Sequence, residues 1–178
     1  MLNIEYSLEE NDYLEFQLFV ASTSPMIIKK KRRSWILLSV VSAALTINFV
    51  VSRGDFLAVY FGVVSLAIIL FYPKYINWKY KKHYISHIRE NYANRFGELE
   101  YIEFHDDHLF AKDKVGEGTI NLSEVEFVDE LKDYFFLRLS TGVSMIIPKY
   151  KIDNVDEVRN EFVRLGIEIN DNLDWVSK

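Results

Sequence analysis

His83 and His87 stand four residues apart in a stretch of helical periodicity, the spacing at which two imidazoles on one helix face hold a metal ion. A strong third ligand is missing, because Glu90, three residues beyond His87, serves only weakly. His105-Asp106-Asp107-His108 places four potential ligands in succession. Asp106-Asp107 falls between two strand patterns, however, where aspartate is an ordinary turn former. Both groups therefore read as polar surface. No serine stands in a nucleophile motif with a base, and no glycine-rich loop opens a helix. The chain has no cysteine, which removes thiol chemistry and disulfides and fits a reducing compartment. The expectation is a chain without catalytic residues, metal or cofactor, and not an enzyme.

Recognition is the other chemistry to consider. Tyr134-Phe135-Phe136-Leu137-Arg138-Leu139 is the most apolar strand pattern. If Phe135, Leu137 and Leu139 face a core, Tyr134, Phe136 and Arg138 point outward as an interaction surface of aromatics beside an arginine. Covering of that face by a neighbouring helix or by the N-terminal arm is the competing and preferred arrangement. Lys149 and Lys151 follow Pro148 and supply point charges for phosphate or an anionic lipid head group, although a solvated pair is the simpler reading.

The elements that must carry these groups begin with two charge-free apolar runs, Ser34–Ser52 and Phe56–Tyr72, separated by Arg53-Gly54-Asp55. A 19-residue helix reaches about 28 Å, close to the ~30 Å hydrocarbon core of a bilayer. The second run is near the lower limit, and Tyr72, Tyr75 and Trp78 extend it as an interfacial aromatic belt. A buried hairpin of a soluble protein is the alternative, but the runs lack the polar stripe such helices show. Ser42-Ala43-Ala44 favours close helix approach. Asn48 is expected to face the other helix or a companion protein.

Lys29, Lys30, Lys31, Arg32 and Arg33 precede the hairpin and Lys74, Lys79, Lys81 and Lys82 follow it. Basic residues stay on the cytoplasmic side, so both termini are expected in the cytoplasm and the tight loop outside. A cleaved signal peptide is rejected, because the first run starts late and a second span follows at once. Residues 1–28, 29–82 and 83–178 carry net −5, +9 and −9, which together give the chain's −5. The basic belt suits anionic lipid, whereas the acidic remainder argues against nucleic acid as a partner.

The reading divides the chain into a cytoplasmic strand and acidic helix (1–28), a two-span transmembrane hairpin (29–82), a stalk helix (83–97) and a cytoplasmic domain (98–178). Leu2–Tyr6 alternates as a strand, and Ser7-Leu8-Glu9-Glu10 matches a capping box opening a helix to about Thr23. Ile85, Ile88, Tyr92 and Phe96 mark one face of the stalk, with Gly97 as its cap. Strand patterns then occupy Leu99–His105, His108–Lys112, Val125–Glu130, Asp133–Ser140 and Val143–Ile147, with turns at Gly116-Glu117-Gly118 and Thr141-Gly142. Asp153 caps a last helix whose apolar face is Val155, Val158, Phe162 and Leu165, and Gly166 ends it. About five antiparallel strands closed by one helix give an α+β domain.

This layout resembles the YcxB-like family of bacterial membrane proteins. The resemblance rests on Glu9-Glu10-Asn11-Asp12-Tyr13, the double span, Phe104-His105-Asp106-Asp107-His108-Leu109, Leu122-Ser123-Glu124-Val125, Tyr134-Phe135-Phe136-Leu137 and Ile146-Ile147-Pro148-Lys149. Asn121 departs from it, standing where an aromatic is common. The resemblance implies a pleckstrin-homology-like domain: a small, strongly bent antiparallel sheet capped by the C-terminal helix. It transfers no catalytic residue. The functional expectation is an inner-membrane protein presenting an interaction domain to another membrane or cytoplasmic protein, or to a second copy of itself. The alternative is recognition of an anionic lipid head group or another small anion.

Overall fold

The computed structural model describes residues 2–52 and 54–177. Arg53, expected in the tight external loop, lies outside them. The chain forms two compact units, one built from the residues up to Phe16 together with Ile85–Ser177, the other from Gln17–Tyr84. The N-terminal strand and first helical turns thus belong to the same unit as the C-terminal domain rather than standing as a segment of their own.

The first unit is mixed α+β. Strand β1 (Leu2–Ser7) and helix α1 (Glu10–Thr23) come first, and β1 pairs antiparallel with β2 (Leu99–Phe104), Leu2 opposite Phe104 and Ser7 opposite Leu99. Strands β3 (His108–Lys112) and β4 (Glu117–Asn121) complete a four-stranded sheet in the order β1-β2-β3-β4. A 3-10 turn at Leu122–Glu124 leads into β5 (Val125–Glu130), β6 (Tyr134–Leu139) and β7 (Ser144–Pro148). After helix α4 (Val155–Arg164), β8 (Ile169–Asp171) adds parallel to β5, so the second sheet runs β7-β6-β5-β8. The single bent sheet of five antiparallel strands is corrected to two four-stranded sheets. Three strands account for the change: β1 comes from the far N-terminus, β4 begins within the Gly116-Glu117-Gly118 turn signal, and β8 has only three residues.

Phe162 sits at the centre of the core, its ring 5.6 Å from Phe104 of the first sheet and 5.5 Å from Phe135 of the second. Both contacts are edge-on, the geometry that aromatic quadrupoles favour. Val158 and Phe162 are the fully buried residues of α4, whose N-cap is Asn154, one residue beyond the expected Asp153. Gly166 then takes a left-handed φ of +74°, as its capping role requires.

The second unit holds α2 (Pro25–Val51) and the first part of α3 (Asp55–Tyr92), which continues through Pro73. Both helices are long and apolar enough to cross a membrane. Their seam is small and polar: Ser42 and Ser65 are buried, and the Thr46 and Ser65 hydroxyls are 3.2 Å apart. Phe49 stacks on Phe61. At one end Ser34 bonds Tyr72, and Lys31 donates to Asn77 at 3.0 Å beneath the face of Tyr80. Asn48 is exposed rather than turned to the other helix.

Candidate functional site

The first unit has a cleft of about 520 Å³ whose walls come from both sheets. One wall is β2, β3 and the start of β4 with the β3–β4 turn, carrying Glu100, Lys112, Asp113 and Glu117. The opposite wall is Val143–Ile146 at β7, the edge strand of the second sheet. Tyr13 and Tyr92 close one end with their rings 5.0 Å apart, and Arg95 lies over the Tyr92 face.

Local chemistry positions each wall. Asp113 Oδ1 accepts the backbone N–H groups of Val115 and Gly116 at 2.7 and 2.9 Å, which sets the β3–β4 turn. Gly97, in the left-handed region at φ +73°, donates its N–H to the Leu8 carbonyl and brings the end of the helical segment beside α1. The two-residue period of β2 puts Glu100 on the same side as Ile102 and Phe104, which are core residues.

A carboxylate on that side is costly. Burial, reinforced by the charge of Asp113, pushes Glu100 up to about 7, with the Tyr6 hydroxyl and Arg95 only partly offsetting the rise. Tyr6, opposite Glu100 on β1, is itself driven well above the ordinary phenol range by burial and by that carboxylate. The Tyr6 hydroxyl is buried without a hydrogen bond of ordinary geometry. Tyr13 is raised to about 12, first by burial and then by Glu100. Arg95 pairs with Asp113 and Lys112 with Glu117, each at 3.7 Å, whereas Glu100 forms no ion pair among the described residues.

The expected interaction residues lie elsewhere, and most are engaged internally. Tyr134 and Phe136 are 6% and 2% exposed, which corrects the outward placement and matches the competing arrangement. Phe16 of α1 meets Phe136 edge-on at 5.2 Å. Tyr134 donates its hydroxyl to Asp12 Oδ1 at 2.9 Å, and Tyr150 donates to the same oxygen. Asp12 Oδ2 accepts the Glu9 N–H at 2.7 Å, so Asp12 rather than Glu10 is the reaching carboxylate of the helix start, and Glu9 rather than Ser7 is the capped residue. Glu10 instead forms a two-pronged pair with Arg89.

Arg138 is half-buried and reaches Ser144 at 3.4 Å. Lys149 pairs with Glu130 at 2.8 Å over the ring of Phe135. Lys151 donates to the Ser7 carbonyl at 2.9 Å and lies 3.6 and 3.8 Å from Glu9 and Asp12. Both lysines are therefore clamps within the fold rather than a solvated pair. Of the helix-flanking cations, Lys29, Lys30, Arg32, Arg33, Lys74, Lys79, Lys81 and Lys82 are exposed, and Lys31 is partly covered. His87 bonds Asn91, while His105 and His108 stack on each other with His108 held by Asp107 at 2.7 Å.

Sequence reasoning missed Glu100 and the cleft. The available signal was one acid on the Ile102–Phe104 phase of an alternating strand. The opposite wall, forty residues on, had no such signal.

The family model for YcxB-like proteins matches residues 104–162, from the end of β2 through most of α4. Lys112, Asp113, Glu117 and the β7 wall of the cleft fall inside this stretch, and Glu100 lies four residues before it. No curated protein matches the chain.

Proposed function

We propose that this chain is an integral protein of the cytoplasmic membrane of a bacterial cell. It spans the bilayer twice, keeps both termini in the cytoplasm and presents a pleckstrin-homology-like recognition domain there. The observation that carries the reading is the outward direction of the apolar side chains on α2 and α3. Val40, Ile47, Phe56, Val63 and Phe71 are all more than half exposed, an arrangement suited to lipid and unsuited to water. The basic clusters at the outer ends of the two runs support the orientation. The open cleft between the sheets supports binding rather than catalysis as the domain's work, with another membrane or cytoplasmic protein as its partner. The acidic balance of the domain weighs against nucleic acid.

The absence of cysteine makes the topology directly measurable. Asp55→Cys is expected to react with a membrane-impermeant maleimide in intact spheroplasts, and Ser140→Cys only after permeabilisation. Labelling of Ser140→Cys in intact spheroplasts would overturn the orientation. Crosslinking in cells followed by capture of the full-length chain should yield a discrete partner; a chain crosslinked only to itself would make the hairpin a self-association device.

A second reading, recognition of anionic lipid, is favoured by a different surface from Lys149 and Lys151. A groove of about 580 Å³ on α2 joins Lys29, Arg32 and Arg33 to Ile36, Leu37, Val40 and Val41. Cations at one end and apolar groups at the other match an acidic phospholipid. Native mass spectrometry should show phosphatidylglycerol retained over phosphatidylcholine, and Arg32→Gln with Arg33→Gln should remove the preference.

A further inference from the structure

The cleft holds three carboxylates and two cations, and its ion pairs leave one group over. Arg95 answers Asp113 and Lys112 answers Glu117, so Glu100 is the surplus negative charge. It is surrounded by surfaces that a flat or aliphatic cation packs against well. Tyr13 and Tyr92 line the cleft with aromatic rings, and Met145 offers a soft apolar contact. Arg95 already shows one guanidinium held between a carboxylate and the Tyr92 ring at the rim. Behind Glu100 lies the Tyr6 hydroxyl, buried and without a hydrogen bond of ordinary geometry, so that side chain and Arg95 offset the cost of the buried carboxylate only in part.

The geometry points to the Glu100 cleft as a receptor for a guanidinium or ammonium group carried on a basic side chain of a partner peptide. This rests on the reading of the domain as a recognition module and names the chemistry it recognises. Glu100 forms the charge pair, the Tyr13–Tyr92 pair closes the cleft at one end, and Val143–Ile146 provides an edge strand beside which an extended peptide lies. Binding restores charge balance, so the carboxyl, poised near 7 when the cleft is empty, releases its proton as the cation enters. The groups facing Glu100 are Tyr6 from β1, Tyr13 from α1, Arg95 after α3 and Asp113 after β3. Tyr6 and Tyr13 are displaced upward, away from neutral pH, which leaves Glu100 as the titrating member of the cluster there.

The test is calorimetric titration of the full-length protein in detergent micelles with acetyl-Ala-Arg-Ala-amide. Agmatine is a second arm, and the citrulline analogue of the peptide is a neutral control of the same shape. Binding of the arginine peptide should be about tenfold weaker at pH 6 than at pH 8, following the ionised fraction of a group titrating near 7. Titration at pH 7 in phosphate and in Tris should show release of roughly half a proton per site. Glu100→Gln should weaken binding at least tenfold and abolish proton release, while Glu126→Gln on the exposed surface changes neither. Agmatine binding as tightly as the peptide would mark a free amine as the source, and tighter peptide binding a protein partner. No binding by the folded wild type, equal binding of the citrulline peptide, or unchanged binding by Glu100→Gln overturns the site. A crosslinked partner retained undiminished by Glu100→Gln would sink this site and leave the module reading standing. Loss of every partner from the wild type itself would remove both.

Discussion

Asp12 Oδ1 accepts the hydroxyl of Tyr134 at 2.9 Å, joining the start of α1 to β6 across 122 residues of sequence. Asp12 is completely buried, and its other oxygen holds the Glu9 N–H. One side chain thus caps a helix and docks it onto a sheet.

That double duty makes Asp12 a stability residue. Asp12→Ala strips the partner from a buried tyrosine hydroxyl and from a backbone amide. The expected loss is about 3 kcal/mol, read by chemical denaturation of the full-length protein in micelles. Tyr134→Phe, which removes one donor and leaves the cap intact, should cost about 1 kcal/mol. Equal effects would mean that the docking, not the cap, carries the stability.

Phe162 offers a larger effect by a different mechanism. It bridges Phe104 and Phe135, so Phe162→Ala opens a cavity between the two sheets. A loss of about 4 kcal/mol is expected, against about 1 kcal/mol for Phe162→Leu. A small effect of the alanine variant would show that the sheets repack directly.

Glu100 should behave in the opposite way. Its folded value, near 7, is above the ordinary carboxyl range, so the folded state binds more protons than the unfolded one between about 4.5 and 7. Stability therefore falls as pH rises through that window and stays reduced above it. Glu100→Gln is expected to stabilise by the order of 2 kcal/mol at pH 8 and by nothing near pH 4. A variant with the same benefit at both pH values would place the effect in packing instead of charge.

Glu130 supplies the contrasting sign. Burial opposes its ionisation, but hydrogen bonds from Lys149 and Arg159 outweigh that and hold the carboxyl below its usual range. Its contribution is present above the ordinary carboxyl value and is lost as pH falls through the lowered folded value. Lys149→Met should cost about 2 kcal/mol at pH 7, with the cost shrinking in acid. A pH-independent loss would indicate that the Lys149 ammonium over the Phe135 ring carries the effect rather than its pair with Glu130.

Much of the layout was legible because it depends on local rules. The strand β3 is bounded where its alternation stops, β5 likewise, and Gly97 and Gly166 sit where positive φ ends a helical segment. The stalk face marked by Ile85, Ile88, Tyr92 and Phe96 also has a partner, since Tyr13 packs on Tyr92 and Phe96. The helix start moved by two residues because Asp12 accepts the Glu9 N–H, in place of a Ser7–Glu10 capping box. Tyr134 made the choice by drawing Asp12 into the capping role.

By itself, the sequence determined the properties that short-range chemistry encodes: two bilayer-length apolar runs with basic flanks, the main strands by their period of two, and an amphipathic last helix. Only the tertiary structure decided which surfaces remain open. Tyr134 and Phe136 are closed because α1, more than a hundred residues away, lies on them, and Lys149 and Lys151 are engaged because Glu130 and Ser7 reach them. The cleft at Glu100 exists because β2, β3 and β7 converge there, and burial pushes its carboxyl up to about 7. Periodicity reports which face a residue takes on its own element; what covers that face depends on chain segments with no local relation to it.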